Sequence, residues 1–332
     1  MRTDIIKIIS SPASSLYKIA PEALCTGFNN TPPAAVDAYI VSTPESRSIC
    51  NDPRVFGIDY TRKLTRACSK ALTMLAPFQT FNEKTATVLN ILRGGLNFGL
   101  REALADAFAW NAHSSAFISA QRNRKTPDSS EWIITESSYS KIYLQGENQL
   151  ILGDVVATGT SLEHGLRRAL DCAKLNAQHI KSILFFTIGG PRSHEILSKL
   201  IMEYAPWFPE IKGIVVYFEG VFTVAEDHSP LRIKISGTDL LRRDSILAPD
   251  FIESQYENAR FPLERCTIYD AGSRAFNINE YLADVAEYWQ HVALLAAQGV
   301  TFSEYCNERM PEIDATRFGH NDLHALCATS LI

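Results

Sequence analysis

The stretch Leu150 to Leu162, "LILGDVVATGTSL", runs from apolar residues into a lone carboxylate and then a cluster of small hydroxyl residues. A strand ending here and a helix starting near Ser161 would leave unpaired N–H groups at the positive end of the helix dipole, which attracts a phosphate. Gly159 lets the backbone approach an anion closely, and Thr158, Thr160 and Ser161 add hydroxyl donors without crowding it. Asp154 does not favour a phosphate directly; a carboxylate there suits ribose hydroxyls or a hydrated Mg²⁺. One phosphate and one sugar make a ribose 5-phosphate cradle. Read alone, the same residues also fit a plain strand–helix junction, with Ser161 as N-cap and Asp154 as a surface carboxylate.

Two further segments carry chemistry. In "NILRGGLNFGLREAL" (90–104), Gly94 and Gly95 expose backbone N–H groups while Arg93 supplies a cationic fork. In "AQRNRKTPDSSEW" (120–132), Arg122, Arg124 and Lys125 cluster beside Pro and Ser, as in a loop that closes over an anion and excludes water. By itself that cluster is also an ordinary solvated charge run. His113, His164, His179 and His194 have no metal-ligand spacing, no G-x-S-x-G is present, and no Cys sits at a strand–helix elbow.

The elements that must position these residues alternate as in an α/β protein. Strands are expected at 86–92, 114–121, 149–155, 181–189 and 213–222, and helices at 60–77, 99–110, 161–176 and 191–205. Several of the strands are apolar nearly throughout, as in a parallel sheet covered on both faces. The expected fold is therefore a mostly parallel sheet of about five strands flanked by helices. Residues 1–40 read as an irregular arm, 41–222 as the core, and 223–332 as a hood and extension. The extension has an amphipathic helix at 279–297, with Leu282, Val285, Trp289, Val292 and Ala296 at helical spacing.

The chain has 332 residues and a formal net charge of -5, which argues against binding nucleic acid by general phosphate attraction. Its 7 Cys are an odd number without CxxC spacing, so they read as reduced thiols. No apolar run is long enough to span a bilayer, and no signal-peptide core is evident, so a cytoplasmic protein without membrane partners is expected.

In order along the chain, the segments resemble the type I phosphoribosyltransferases and are closest in motifs to uracil phosphoribosyltransferase. The resemblance covers roughly 45–222 and the patch "YDAGSRAF" (269–276). It implies phosphoribosyl pyrophosphate as substrate and Mg²⁺ as cofactor. Thr158 to Ser161 would then bind the 5-phosphate, Ala157 would also contact phosphoribosyl pyrophosphate, and Asp154 would hold the ribose and metal. Arg93, Gly94 and Gly95 resemble the "ILRAGL" loop that holds pyrophosphate, with Arg122, Arg124 and Lys125 in the loop that closes over it. Arg93, Asp154 and Arg122 would be the catalytic groups. Asp270, Ala271 and Gly272 match a "GDAGDR" segment that lines the uracil pocket. Ala157 also fits a uracil enzyme, since members acting on purines or orotate often carry an acid there.

Three departures stand out. Gly153 occupies the first acidic position of the signature, Ser273 replaces an Asp, and the last patch lies downstream of an apparent insertion between about 223 and 267. The implied activity is transfer of phosphoribose to a nucleobase, uracil first, with small molecules as partners. Two rivals remain: a regulator that binds phosphoribosyl pyrophosphate or nucleotide without turnover, and a transferase for another acceptor. The apolar face of the 279–297 helix leads us to expect that the extension supports a homo-oligomer or another partner contact.

Overall fold

The computed structural model describes residues 4–11, 13–24, 36–125, 132–144, 146–258, 260–261, 271–318 and 322–330, with only the backbone at 122–124, 132, 136, 271 and 329. Two short antiparallel strands come first, β1 (Ile5–Ser10) and β2 (Ser15–Ile19). The apolar run of β3 (Val36–Ser42) passes through Thr43 into α1 (Pro44–Asn51). Thr43 and Ser46 form a reciprocal capping box there, and Pro44 occupies the first turn. The long helix α2 (Gly57–Leu75) buries Tyr60, Leu64, Ala67, Ala71, Leu72 and Leu75 along one stripe.

Then follow β4 (Ala86–Leu92), α3 (Leu100–Phe108) and β5 (Ser114–Ser119). Next, β6 (Gln121–Arg124) and β7 (Trp132–Glu136) pair only with each other, as an antiparallel ribbon, and the two-residue β8 (Ser140–Lys141) returns to the sheet. The second half of the core runs β9 (Glu147–Val156), α4 (Thr160–Leu175), β10 (His179–Gly189), α5 (Arg192–Tyr204) and β11 (Lys212–Val224). An antiparallel strand, β12 (Leu240–Leu247), pairs with the end of β11 and leads into α6 (Pro249–Ser254). The C-terminal region holds α7 (Ala271–Phe276), α8 (Ile278–Ala297), α9 (Phe302–Arg309) and α10 (Leu323–Ser330).

The main sheet has ten strands in the order β1-β2-β3-β11-β10-β9-β4-β5-β8, with β12 beside β11. Six of them, β3 and β11 through β5, are mutually parallel, against the five expected. The sixth is β3, which straddles the boundary drawn at residue 40. The expected arm is therefore not irregular where it is described: β2 hydrogen-bonds to β3 and β1 to β2, extending the sheet. Helices cover the sheet, and the C-terminal helices bury a separate apolar cluster around Tyr281, Trp289, Phe302 and Tyr305. Leu282, expected on the buried stripe of α8, is 41% exposed, because the stripe runs through Tyr281, Val285, Tyr288, Trp289 and Val292 instead.

Helix α1 is secured at both ends by residues far along the chain. At its start, the fully buried Glu219 of β11 accepts hydrogen bonds from Ser42 Oγ (2.7 Å), the Thr43 N–H (3.1 Å) and Ser46 Oγ. Burial lifts the Glu219 carboxyl to about 7, with these donors opposing the rise. At the other end, the fully buried Arg274 of α7 donates to the carbonyls of Ile49 (3.1 Å), Asp52 (2.9 Å) and Val55 (2.7 Å). An acid at a helix N-terminus and a cation at its C-terminus both match the helix dipole.

The Glu219 arrangement sets a pH dependence. Because the folded state raises this carboxyl, its contribution is fully present below about 4.5, declines as pH rises through about 7, and then levels. The loss is on the order of 3 kcal/mol. Urea unfolding of wild type and Glu219→Gln at pH 5 and pH 8 is expected to show a steeper decline in the wild type. Parallel declines would remove Glu219 as the cause.

Candidate functional site

The chain reverses its direction of travel across the sheet between β4 and β9. From β4 it moves outward to β5, and from β9 it moves the other way through β10 to β11. Crevices beyond the carboxyl ends of parallel strands at such switch points are where ligands bind in open α/β sheets. Here the two strands pair only over Ala86–Val88 and Gln149–Ile151, although β4 continues to Leu92 and β9 to Val156. Beyond that pairing, the turn after β4 packs against Gly153 and Asp154 of β9.

After β4, a 3-10 turn spans Gly94–Phe98, preceded by the exposed Arg93; the Leu92–Arg93 peptide is cis. The two glycines also lie close against β9, beyond any role of their N–H groups. A Cβ at Gly94 would lie 2.6 Å from Asp154 Oδ1, and one at Gly95 would lie 3.2 Å from the Gly153 carbonyl oxygen. Gly153 has a matching explanation: its Cβ would lie 2.4 Å from the Phe98 ring. The position where the resembling family carries an acid is thus filled by an aromatic ring from the turn.

Asp154 is half-buried, and its Oδ1 accepts from the Val155 N–H at 2.9 Å. On the buried face of α2, Tyr60 has the Arg274 guanidinium 5.2 Å from its ring centroid. Burial raises the Tyr60 phenol, the Arg274 charge opposes that rise and the Asp154 charge adds to it.

Beyond β9, Gly159 has φ +77°, and a Cβ there would lie 2.2 Å from Ile196 Cδ1, so glycine is required on both counts. Thr158 and Thr160 hydroxyls are 3.3 Å apart. Within α4 the first amide bonded back to this loop is that of Glu163, to the Gly159 carbonyl at 2.9 Å; the preceding amides have no i−4 partner inside the helix. Ser161 differs from expectation: its hydroxyl donates to the Ala120 carbonyl at 3.1 Å, tying α4 to the end of β5. Its backbone N–H, rather than its side chain, is what it can offer an anion.

The segment 120–132, expected as a loop, is in part the β6–β7 ribbon, with Arg122 opposite Ile134 and Arg124 opposite Trp132. The side chains of Arg122 and Arg124 and residues 126–131 lie outside the described residues, while Lys125 is exposed. Asp270 and the Ala271 side chain also lie outside them. Gly272 is half-buried and Ser273 is buried, on a helix that packs against α2, α8 and the Gly94–Phe98 turn. Arg274 of the same patch is the structural cap of α1.

Sequence reasoning missed a cavity of about 930 Å³ beside the phosphate-type loop. Ala157 and Thr158 form one wall, Val221 and Phe222 at the end of β11 another. Its remaining walls come from residues as far apart as Asp4 and Asp244, so no local spacing announces it. Among the described residues, no three or more His, Cys, Asp or Glu side chains come together as a metal site, and no helix is long and apolar enough to cross a membrane. A single carboxylate such as Asp154 fits Mg²⁺, which is commonly held by one or two carboxylates together with substrate phosphates.

No family model matches the sequence, and no curated protein matches it. Among solved structures, a hypoxanthine phosphoribosyltransferase from Staphylococcus aureus is 17% identical, with a TM-score of 0.27, over 41% of this chain and 65% of that one. The match therefore spans less than two thirds of the Staphylococcus aureus chain. A purine phosphoribosyltransferase from Pyrococcus horikoshii is 14% identical over 49% of this chain and 84% of that one, with a TM-score of 0.27. A hypoxanthine phosphoribosyltransferase from Trypanosoma cruzi is 10% identical over 59% and 95%, with a TM-score of 0.28.

Proposed function

We propose that this chain is a Mg²⁺-dependent phosphoribosyltransferase that joins ribose 5-phosphate from phosphoribosyl pyrophosphate to a ring nitrogen of a nucleobase, releasing pyrophosphate. One observation carries the reading: Gly94 abuts Asp154, so the Arg93–Gly95 turn and the 154–161 loop meet at the sheet's switch point. The loop at Thr158 to Ser161 holds the 5-phosphate and Asp154 the ribose hydroxyls, which leaves the pyrophosphate at the Arg93 turn. Residues 223–332 supply the hood. Mg²⁺ held by Asp154 and the pyrophosphate oxygens would neutralise part of the leaving group's charge.

The ring-nitrogen lone pair forms a bond to C1 of the ribose as the C1–oxygen bond to pyrophosphate breaks, and the acceptor's N–H proton is released to water. Positive charge develops on the sugar and negative charge on the leaving group. The protein's task is therefore electrostatic and positional: Arg93 and the backbone N–H groups stabilise the leaving oxygens, and the walls hold the acceptor in line. Uracil is the acceptor that the resemblance places first. Incubation with phosphoribosyl pyrophosphate, Mg²⁺ and a panel of nucleobases is expected to release nucleotide and pyrophosphate. Tight binding of phosphoribosyl pyrophosphate with no turnover of any base would instead favour the regulator. The Phe98 ring at Gly153 favours that second reading, because it leaves a single ribose-facing carboxylate.

Asp154→Asn keeps the size of the side chain and removes its charge. It is expected to weaken phosphoribosyl pyrophosphate binding with Mg²⁺ by about 10- to 100-fold, the worth of charge-assisted hydrogen bonds, with folding little changed. Calorimetry with and without Mg²⁺ checks this, and equal affinities for variant and wild type would take Asp154 out of the site.

A further inference from the structure

Tyr60 of α2 is fully buried, and its hydroxyl has no hydrogen-bond partner among the described residues. Buried hydroxyls are normally paired, and one left unpaired costs stability. A phenylalanine would fill the same space without that cost, so packing does not account for the oxygen. Its surroundings do. Helix α2 packs against the Gly94–Phe98 turn and against α7. That turn brings Gly94 against Asp154, and Arg274 of α7 lies 5.2 Å from the centre of the Tyr60 ring. Burial raises the Tyr60 phenol and the Asp154 charge raises it further, so the phenol lies within the field of that carboxylate. In this structure Asp154 Oδ1 accepts from the N–H of its own neighbour, Val155, at 2.9 Å.

Resting on the transferase reading, we propose that Tyr60 is a positioning residue: its hydroxyl donates to the Asp154 carboxylate in the loaded site and orients it for Mg²⁺ and the ribose hydroxyls. Carboxylates that hold a metal are themselves hydrogen-bonded from behind, and that outer partner fixes their direction. Tyr60 supplies such a donor from a helix that also supports the Arg93 turn, so the two halves of the site are tied to one element. The donor is unpaired in the free protein and paired on loading, so the cost of burying it is relieved only when the ligand is present. The phenol keeps its proton throughout, since burial and the Asp154 charge both oppose its loss.

Tyr60→Phe in the full chain separates this role from a structural one. Its midpoint in urea is expected to match or exceed that of wild type, because no hydrogen bond is lost from the free protein. Its affinity for phosphoribosyl pyrophosphate in Mg²⁺, by calorimetry, is expected to fall about 10- to 100-fold, the usual worth of a partner behind a metal ligand. In Tyr60→Phe/Asp154→Asn the two losses should not add, since Tyr60 acts through Asp154. A lower midpoint would mean that the hydroxyl already has a partner in the free protein. Unchanged affinity, or losses that add in the double variant, would separate Tyr60 from Asp154. Any one of these three results overturns the inference. Failure of the wild type to bind phosphoribosyl pyrophosphate is a different outcome: the transferase reading then falls and takes the inference with it.

Discussion

Arg274→Ala is expected to lower the unfolding free energy by about 3–5 kcal/mol, since each buried carbonyl left without its donor costs about 1–3 kcal/mol. The guanidinium is fully buried and serves three carbonyls at the C-terminal end of α1 while lying over the rings of Tyr60 and Tyr281, at 5.2 and 5.4 Å from their centroids. Alanine removes the donor from all three carbonyls, of which only that of Asp52 keeps another, the Val55 N–H at 3.1 Å, among the described residues. Arg274→Lys keeps the charge but cannot span all three carbonyls, so it should recover only part of the loss. Urea denaturation checks both. A change below about 1 kcal/mol for the alanine variant would mean that the carbonyls find other partners.

Gly153→Asp, which restores the acid of the resembling signature, is expected to damage the protein rather than improve it. The new Cβ falls 2.4 Å from the Phe98 ring, so the turn must move and a carboxylate must be buried against an aromatic face. A loss of at least about 3 kcal/mol is expected, overpacking and unpaired charge acting together. Combining it with Phe98→Ala makes room for the carboxylate and should recover stability relative to Gly153→Asp alone, measured by the same unfolding experiment. A single variant as stable as wild type would show that the ring yields easily.

The central α/β pattern was legible because β4, β10, β11 and the middle of β9 are apolar over most of their length, and α3, α4 and α5 each have a polar face. Their ends fell within a few residues of expectation. β1 and β2 were not legible: each is five or six residues long, and their place depends on β3, a strand they meet only in space. The ribbon of β6 and β7 was hidden by a run of charges that reads as loop. At the site, Gly94, Gly95 and Gly153 attracted notice as departures or as anion binders. Their packing against Asp154 and Phe98 needed coordinates, because a missing side chain leaves no trace of what fills its space. Arg274 was read within a ligand-lining patch, and nothing in "YDAGSRAF" discloses that its arginine turns inward. The cavity beside Ala157 draws on positions from 4 to 246 and has no spacing to read.

The double fastening of α1 also has a consequence in time. A helix of eight residues does not hold its shape alone in water. Glu219, which fastens its first turn, is made well after it, and Arg274, which fastens its last, later still. Ile49 and Arg274 are 225 residues apart. At roughly 5–20 residues per second, translation takes roughly 10–45 s to cover that distance. Through that interval the emerging segment 44–51 has its start unfastened and then its end. Its buried face, Ile49 and Cys50 included, stays open to chaperones and to neighbouring nascent chains until the last third of the protein arrives.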